Sequence, residues 1–270
     1  MMGTHQKMLL TKTLVVLTYL GMIAVNALAN ALPINGVTTG GVSDAYPNLF
    51  APAGLTFSIW GLIYILLGAY TLYQLGLFRS DKSASRVELF QDVGLFFIIS
   101  SLANMSWIFA WHYDYIAISL VLMIVILLCL IVIAQRLAEE QLSLKEKFFI
   151  RLPFSIYFGW ITVATIANVT TFLVSIGWDG FGIADQAWAV AVIIAGVIIA
   201  IATMLRNKDL AYGLVVVWAY AGILIKHISP AEFAGQYPSV IVTASFCIIL
   251  LLIAGVSLSK ASLQRQIMGL

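Results

Sequence analysis

The sequence predicts an all-α protein: a polytopic transmembrane helix bundle. Hydrophobic residues make up 62% of the 270 residues and charged residues only 10%, whereas an ordinary soluble domain has about 25% charged residues. The apolar runs are about 20 residues long, which is the length that an α-helix needs to cross the hydrocarbon core of a membrane. These runs lack the alternation of barrel strands and are too long for them, so helices are predicted.

Charged residues separate eight apolar segments, and each segment has the length of one membrane span. The net charge of +2 is too small to indicate a nucleic-acid partner. If eight helices alternate in direction, thirteen of the fourteen Lys and Arg residues lie on one side of the membrane, and only Lys226 lies on the other. The positive-inside rule then places both termini in the cytoplasm, and we expect a cell inner or plasma membrane. The predicted spans are residues 12–32, 54–77, 90–112, 115–135, 149–176, 186–205, 210–227 and 238–258.

The sequence contains no recognisable motif for catalysis, nucleotide binding or metal binding. The first segment has the basic start of a signal peptide, but its long apolar run favours a retained helix. Cys129 and Cys247 both lie inside apolar runs, where a buried hydrophobic role is expected. No acidic residue lies in the middle of a predicted helix, so a carboxylate proton relay is disfavoured. We therefore expect a binding protein, not an enzyme, with no required cofactor.

An aromatic stripe marks the second span. Pro52 lies where the helix is expected to begin, and Trp60, Tyr64 and Gly68 then lie four residues apart, so these three share one helical face. A tyrosine hydroxyl that faced lipid would lack a hydrogen-bond partner, which favours a face directed into the bundle or a cavity. The alternative is that Trp60 is an ordinary packing or interfacial aromatic residue.

Two further spans combine tryptophan with a deep asparagine. Asn104 and Trp107 are three residues apart in the third span, and Trp160, Ala164 and Asn168 follow one another at intervals of four in the fifth. A carboxamide within a membrane helix needs a partner inside the protein. We therefore expect both asparagines to face the interior of the bundle, with the small Ala164 leaving space beside its helix.

Polar residues near the predicted outer side leave several interpretations open. Asn26 and Asn30 are expected to hydrogen-bond to a neighbouring helix, with a capping or interfacial role as the alternative for Asn30. The turn containing His112 and Asp114 is expected to form an interfacial belt, with an acid–base or metal role as the alternative. Lys226 is expected to extend to the membrane interface, with attraction of an anionic ligand as the alternative.

The long connection from Pro33 to Ala53 has no visible helical or alternating period. A connection of this length without structure of its own is uncommon in a compact protein and is often a lid or a binding loop. Tyr46, Leu49 and Phe50 give it apolar anchors. We therefore expect it to fold back over the mouth of the bundle, with disorder as the alternative.

These motifs, taken in order, resemble the translocator-protein family, also called TspO/MBR or tryptophan-rich sensory proteins. The resemblance covers about residues 12–178 and implies a five-helix transmembrane bundle, followed in residues 179–270 by three additional helices and a basic cytoplasmic tail. The chain departs from the family where it reads Gly-Leu-Thr-Phe at positions 54–57, because a second tryptophan is usual there. It also continues beyond the five family helices.

We expect a ligand pocket among the first, second, third and fifth helices. The resemblance implies that this pocket binds a porphyrin, another tetrapyrrole or a sterol-like lipid, with a porphyrin or haem-type molecule as ligand and not as cofactor. An aromatic, amide-lined pocket suits a flat hydrophobic molecule, and membrane lipid is the other expected partner. A transporter with a midplane site is the alternative function, and a ligand-degrading enzyme is less favoured. Small residues on the sixth span would permit a homodimer without requiring one. The expected ligand-binding residues are Asn26, Phe57, Trp60, Tyr64, Asn104, Trp107, Trp160, Ala164 and Asn168.

Overall fold

The computed structural model describes residues 4–78 and 86–268, and it contains helices and no strand within these ranges. Eight of its helical segments are long and apolar enough to cross a membrane. The predicted all-α polytopic bundle is therefore confirmed. The helices are α1 Thr4–Ala31, α2 Thr39–Asp44, α3 Ile59–Gln74, α4 Val87–His112, α5 Ile116–Glu139, α6 Leu144–Glu146, α7 Leu152–Ser175, α8 Asp185–Asn207, α9 Leu210–Ile228 and α10 Pro238–Met268.

Two helical segments begin five or more residues earlier than the sequence predicts. α1 begins at Thr4, so polar residues that were expected to precede it form its first turns. The fifth span is helical from Leu144, because Ser143 forms a capping box with Glu146 there, in which each side chain accepts a hydrogen bond from the backbone N–H of the other residue. A π-helical turn at Lys147–Arg151 connects this start to α7.

The chain forms two compact units. Unit 1 comprises Met1–Val42 and Ile59–Phe158, and unit 2 comprises Ser43–Ser58 and Gly159–Leu270. The long connection after α1 therefore contributes its first half to unit 1 and its second half to unit 2. The domain boundary after residue 178, which rests on the family resemblance, stays a prediction.

Unit 1 is packed around close helix approaches and an aromatic core. At Gly68 of α3, an added Cβ atom would lie 2.3 Å from the Tyr19 hydroxyl oxygen, so α1 and α3 approach closely there. The rings of Tyr70 and Phe154 have centroids 4.8 Å apart. Arg86, just before α4, forms ion pairs with Glu140 and Glu146. Arg79 and Lys82, which the charge pattern assigns to the cytoplasmic side, lie outside the described residues.

Unit 2 is packed around α9. The turn that precedes α3 lies against this helix, because the Thr56 side chain occupies the space next to Gly222. The Tyr220 hydroxyl donates a hydrogen bond of 2.7 Å to the carbonyl oxygen of Ile193 on α8. The Trp218 indole donates one of 3.0 Å to the carbonyl oxygen of Thr56. These contacts explain why residues 43–58 belong to the C-terminal unit.

Candidate functional site

Unit 1 contains an aromatic and carboxamide cluster, which we call the unit 1 cluster: Asn26, Trp60, Tyr64, Asn104, Trp107 and Tyr157. The half-buried Trp60 ring is at its centre. It stacks on Tyr64, with ring centroids 5.5 Å apart and planes inclined by 16°. Its centroid lies 5.9 Å from that of Tyr157 and 6.5 Å from that of Trp107. The helical spacing of four residues between Trp60 and Tyr64 is what allows their rings to stack.

A hydrogen-bond network connects three helical segments of this cluster. The Asn26 Nδ2 atom donates to Asn104 Oδ1 at 2.8 Å, and Asn104 Nδ2 donates to the Tyr157 hydroxyl at 3.2 Å. All three residues are buried. The predicted hydrogen bond from Asn26 to a neighbouring helix is therefore confirmed, whereas Asn30 donates to the carbonyl oxygen of Asn26 on its own helix.

Two features of the cluster do not follow from sequence motifs. Sequence reasoning did not identify Tyr157, although its position three residues before Trp160 places it near the same helical face. The Tyr64 hydroxyl is buried and has no hydrogen-bond partner among the described residues. A buried hydroxyl without a partner costs free energy unless another molecule supplies one.

The remaining predicted site residues lie in unit 2. The Phe57 and Trp160 rings pack edge to face, with centroids 5.7 Å apart. Asn168 is buried and Ala164 is half-buried, both on the helix that carries Trp160. The ligand-binding roles predicted for these four residues stay predictions.

Within unit 1, the first half of the long connection is attached to the end of α4. The His112 ring is only 1% exposed, with Nδ1 3.0 Å from the carbonyl oxygen of Ile34 and Nε2 3.1 Å from the Thr39 hydroxyl. The Trp111 indole donates to the carbonyl oxygen of Thr39 at 3.0 Å. The expectation of an interfacial role was therefore wrong for His112, because its polar atoms are used inside the protein.

Within unit 2, the second half of the connection is attached to α9. Lys226 Nζ donates to Asp44 Oδ1 at 2.7 Å, and His227 Nε2 lies 2.9 Å from the carbonyl oxygen of Leu49. The backbone N–H of Ala53 donates to the carbonyl oxygen of Gly222 at 3.1 Å. Lys226 was expected to extend to the interface, but it is only 6% exposed and is ion-paired. Disorder of this connection is excluded for the residues that form these bonds.

Unit 2 also contains a cavity of about 340 Å³, which we call the unit 2 cavity. It lies where the end of α7, the start of α8 and the connection between α9 and α10 meet residues 47–50. Sequence reasoning did not identify it. The only signal was the pair Trp178 and Trp188, which stand on either side of a glycine-rich turn.

These helices and clusters define a polytopic, all-α integral membrane protein with a cluster of aromatic rings in each unit. A family model described as TSPO-like protein matches residues 12–257. The chain belongs to this TSPO-like family, which the tryptophan and asparagine motifs also indicate. The match continues through α9 and into α10, so the similarity extends beyond the range covered by those motifs. Comparisons with curated proteins and with solved structures gave no match.

Proposed function

We propose that the protein binds a flat, hydrophobic molecule of the tetrapyrrole or sterol-like class in the unit 1 cluster, as a sensory or transport-related binding protein. The observation that carries the proposal is the half-buried Trp60 ring, stacked on Tyr64, whose hydroxyl has no partner in the described part of the chain. Indole and phenol rings offer a flat surface for stacking. The free hydroxyl offers one hydrogen bond that fixes orientation.

The carboxamide network supports the same proposal, because it is only partly saturated. A carboxamide has two N–H donors and two acceptor lone pairs. Asn104 uses one donor toward Tyr157 and one acceptor position toward Asn26. One N–H and one lone pair therefore remain for a carboxylate or hydroxyl group of a ligand, and binding there need not break the existing hydrogen bonds.

The test is a titration of the purified protein with protoporphyrin IX, followed by the absorbance of the porphyrin so that the number of tryptophans does not affect the signal. Trp60→Phe should weaken binding about threefold to tenfold, which corresponds to one aromatic contact. Trp178→Phe in unit 2 is the matched control and should leave the affinity unchanged. Absence of saturable binding, or equal affinities for the two variants, would contradict the proposal.

Transport is the second candidate, and the same purified protein distinguishes it from binding alone. Proteoliposomes that accumulate porphyrin faster than protein-free vesicles would show transport. If Trp60→Phe then lowers uptake and Trp178→Phe does not, the unit 1 cluster is the transport site. Saturable binding without uptake would favour a sensory role.

We propose a plasma or inner membrane location with both termini in the cytoplasm, because this orientation puts all but one of the basic residues on the cytoplasmic side. Gln141 and Gln236 are both exposed and lie in connections that this orientation places on opposite sides. In a chain without Cys129 and Cys247, a membrane-impermeant maleimide added to intact cells should label Gln236→Cys and not Gln141→Cys. Labelling of Gln141→Cys and not of Gln236→Cys would show that the termini lie outside the cytoplasm and would contradict the proposed orientation.

A further inference from the structure

The unit 2 cavity has walls built largely from aromatic and aliphatic side chains. The rings of Trp178 and Trp188 have centroids 5.1 Å apart and planes inclined by 57°. The rings of Phe233 and Tyr237 have centroids 5.3 Å apart and are nearly perpendicular. All four residues line the cavity. Its volume of about 340 Å³ is at the lower end of the range for small-molecule sites, about 300–1,000 Å³.

The charge of the lining is negative. Asp185, in the first turn of α8, is the single charged residue among the side chains that line the cavity, and no Lys or Arg lines it. Its carboxylate forms no hydrogen bond or ion pair with any residue in the described ranges. Lys226 is the basic residue that the charge pattern places on the outer side of the membrane. It does not line the cavity and is already paired with Asp44.

Ring contacts and hydrogen bonds within unit 2 fix the positions of the residues that line the cavity. The fully buried His227 ring lies 4.8 Å from the Phe233 ring and 5.7 Å from the Tyr237 ring, measured between centroids, and it contacts the carbonyl oxygen of Leu49. Asn48 Oδ1 accepts hydrogen bonds from the backbone N–H groups of Phe50 and Ala51. The walls are therefore positioned before any ligand arrives, which lowers the cost of binding.

We propose that the unit 2 cavity binds an organic ammonium ion through its aromatic walls and the Asp185 carboxylate. Aromatic faces attract a desolvated cation, and cages of Trp and Tyr side chains are the usual protein site for quaternary ammonium groups. A flat tetrapyrrole would leave the carboxylate without a counter-charge. The proposed site is separate from the unit 1 cluster and does not rest on the function proposed for it.

An organic ammonium group has two possible sources here: a free ammonium compound and the choline headgroup of a membrane lipid. The cavity is built from helix ends and connections, which is where a headgroup would be present. The experiment therefore uses the full chain in nanodiscs of phosphatidylglycerol alone, so that no lipid supplies an ammonium group.

Choline binding is measured by saturation-transfer NMR, with its neutral isostere 3,3-dimethylbutan-1-ol as the matched ligand. Choline should bind about tenfold more tightly than the alcohol, because only the cation gains from the aromatic faces and the carboxylate. Asp185→Asn should weaken choline binding about fivefold and leave the alcohol unaffected. Glu232→Gln removes another exposed carboxylate, which does not line the cavity, and it should leave both affinities unchanged.

A second variant protects the test against loss of folding. Trp178→Leu keeps an apolar wall, so it should weaken choline binding more than alcohol binding. Asp185→Asn and Trp178→Leu should both keep the helical circular-dichroism signal of the wild type, which shows that they fold. Equal binding of choline and the alcohol to the wild type, or equal effects of Asp185→Asn and Glu232→Gln, would overturn the proposal. With phosphatidylcholine added to the nanodiscs, displacement of choline would assign the site to the lipid headgroup, and absence of displacement would assign it to a free compound; both results support the proposal.

Discussion

The close approach of α1 and α3 at Gly68 makes a prediction that the structure quantifies. In Gly68→Ala, the added Cβ atom would lie 2.3 Å from the Tyr19 hydroxyl oxygen and 3.2 Å from its Cζ atom. The hydroxyl must therefore move by about 1 Å to reach ordinary van der Waals distance. That hydroxyl donates a hydrogen bond of 2.9 Å to the carbonyl oxygen of Tyr64, so the displacement strains or breaks this bond.

The cost combines overpacking, about 1–3 kcal/mol, with loss of one hydrogen bond, about 1 kcal/mol. The better helix propensity of alanine offsets about 1 kcal/mol of this. We expect the free energy of unfolding of Gly68→Ala to fall by about 1–3 kcal/mol. Gly61→Ala, on the same helix, is the matched control. Gly61 is exposed, and a Cβ atom there would meet nothing within 4 Å, so its stability should be unchanged or slightly higher.

The assay is unfolding by sodium dodecyl sulfate in mixed micelles, followed by circular dichroism. The destabilisation should shrink in a Tyr19→Phe background, because the nearest clashing atom is then absent and only the Cζ contact at 3.2 Å remains. Equal stability of Gly68→Ala and Gly61→Ala would refute the close approach. An undiminished cost in the Tyr19→Phe background would refute the assignment to the hydroxyl.

Three further predictions use the same assay. Gly222→Ala should cost about 3 kcal/mol, because its Cβ atom would lie 2.1 Å from Thr56 Oγ1 and 2.9 Å from Thr56 Cβ, which rotation of the side chain cannot relieve. Asn104→Ala should cost about 1–3 kcal/mol, because two buried hydrogen-bond partners lose their bonds. Asp44→Ala should cost more than Lys226→Met, because the first variant leaves a buried ammonium without its counter-charge and the second leaves a half-exposed carboxylate.

Each of these has its own control. Thr56→Ala should recover part of the loss in Gly222→Ala, and full retention of the loss would contradict the proposed clash. Asn30→Ala should cost less than Asn104→Ala, because Asn30 is exposed and bonds only to the backbone of its own helix. If the Lys226 variant proves more costly than the Asp44 variant, burial of the ammonium is not what makes the pair important.

The membrane spans could be predicted because hydropathy and helix length are local properties of the chain. Each predicted span corresponds to one long apolar helix. The start of the fifth span at Leu144 was missed, because its charged residues predict a loop. The Ser143 capping box is what begins the helix there. The assignment of residues 43–58 to the C-terminal unit could not be predicted, since it depends on Gly222 being opposite Thr56 across a long sequence separation.

The candidate site was predictable to the extent that one helix determines it. The spacing of Trp60 and Tyr64 predicts a shared face, and their rings do stack. The partner of Asn104 could not be predicted, because three separate segments bring Asn26, Asn104 and Tyr157 together. The same limit applies to the unit 2 cavity, whose walls combine the ends of α7 and α8 with connections that have no sequence periodicity.

An aromatic residue in a membrane helix is ambiguous in sequence, and the partner of its polar atom resolves the ambiguity. The indoles of Trp111 and Trp218 and the hydroxyl of Tyr220 donate to backbone carbonyl groups, so these residues hold segments of the chain together. The buried hydroxyls of Tyr64 and Tyr70 have no such partner within the described residues. The Tyr70 ring packs edge to face against Phe97 and Phe154, whereas the Tyr64 ring stacks on the half-buried Trp60 ring. A ligand beside Trp60 is the simplest source of the hydrogen bond that Tyr64 lacks, which is why the unit 1 proposal follows this tyrosine and not the tryptophan content as a whole.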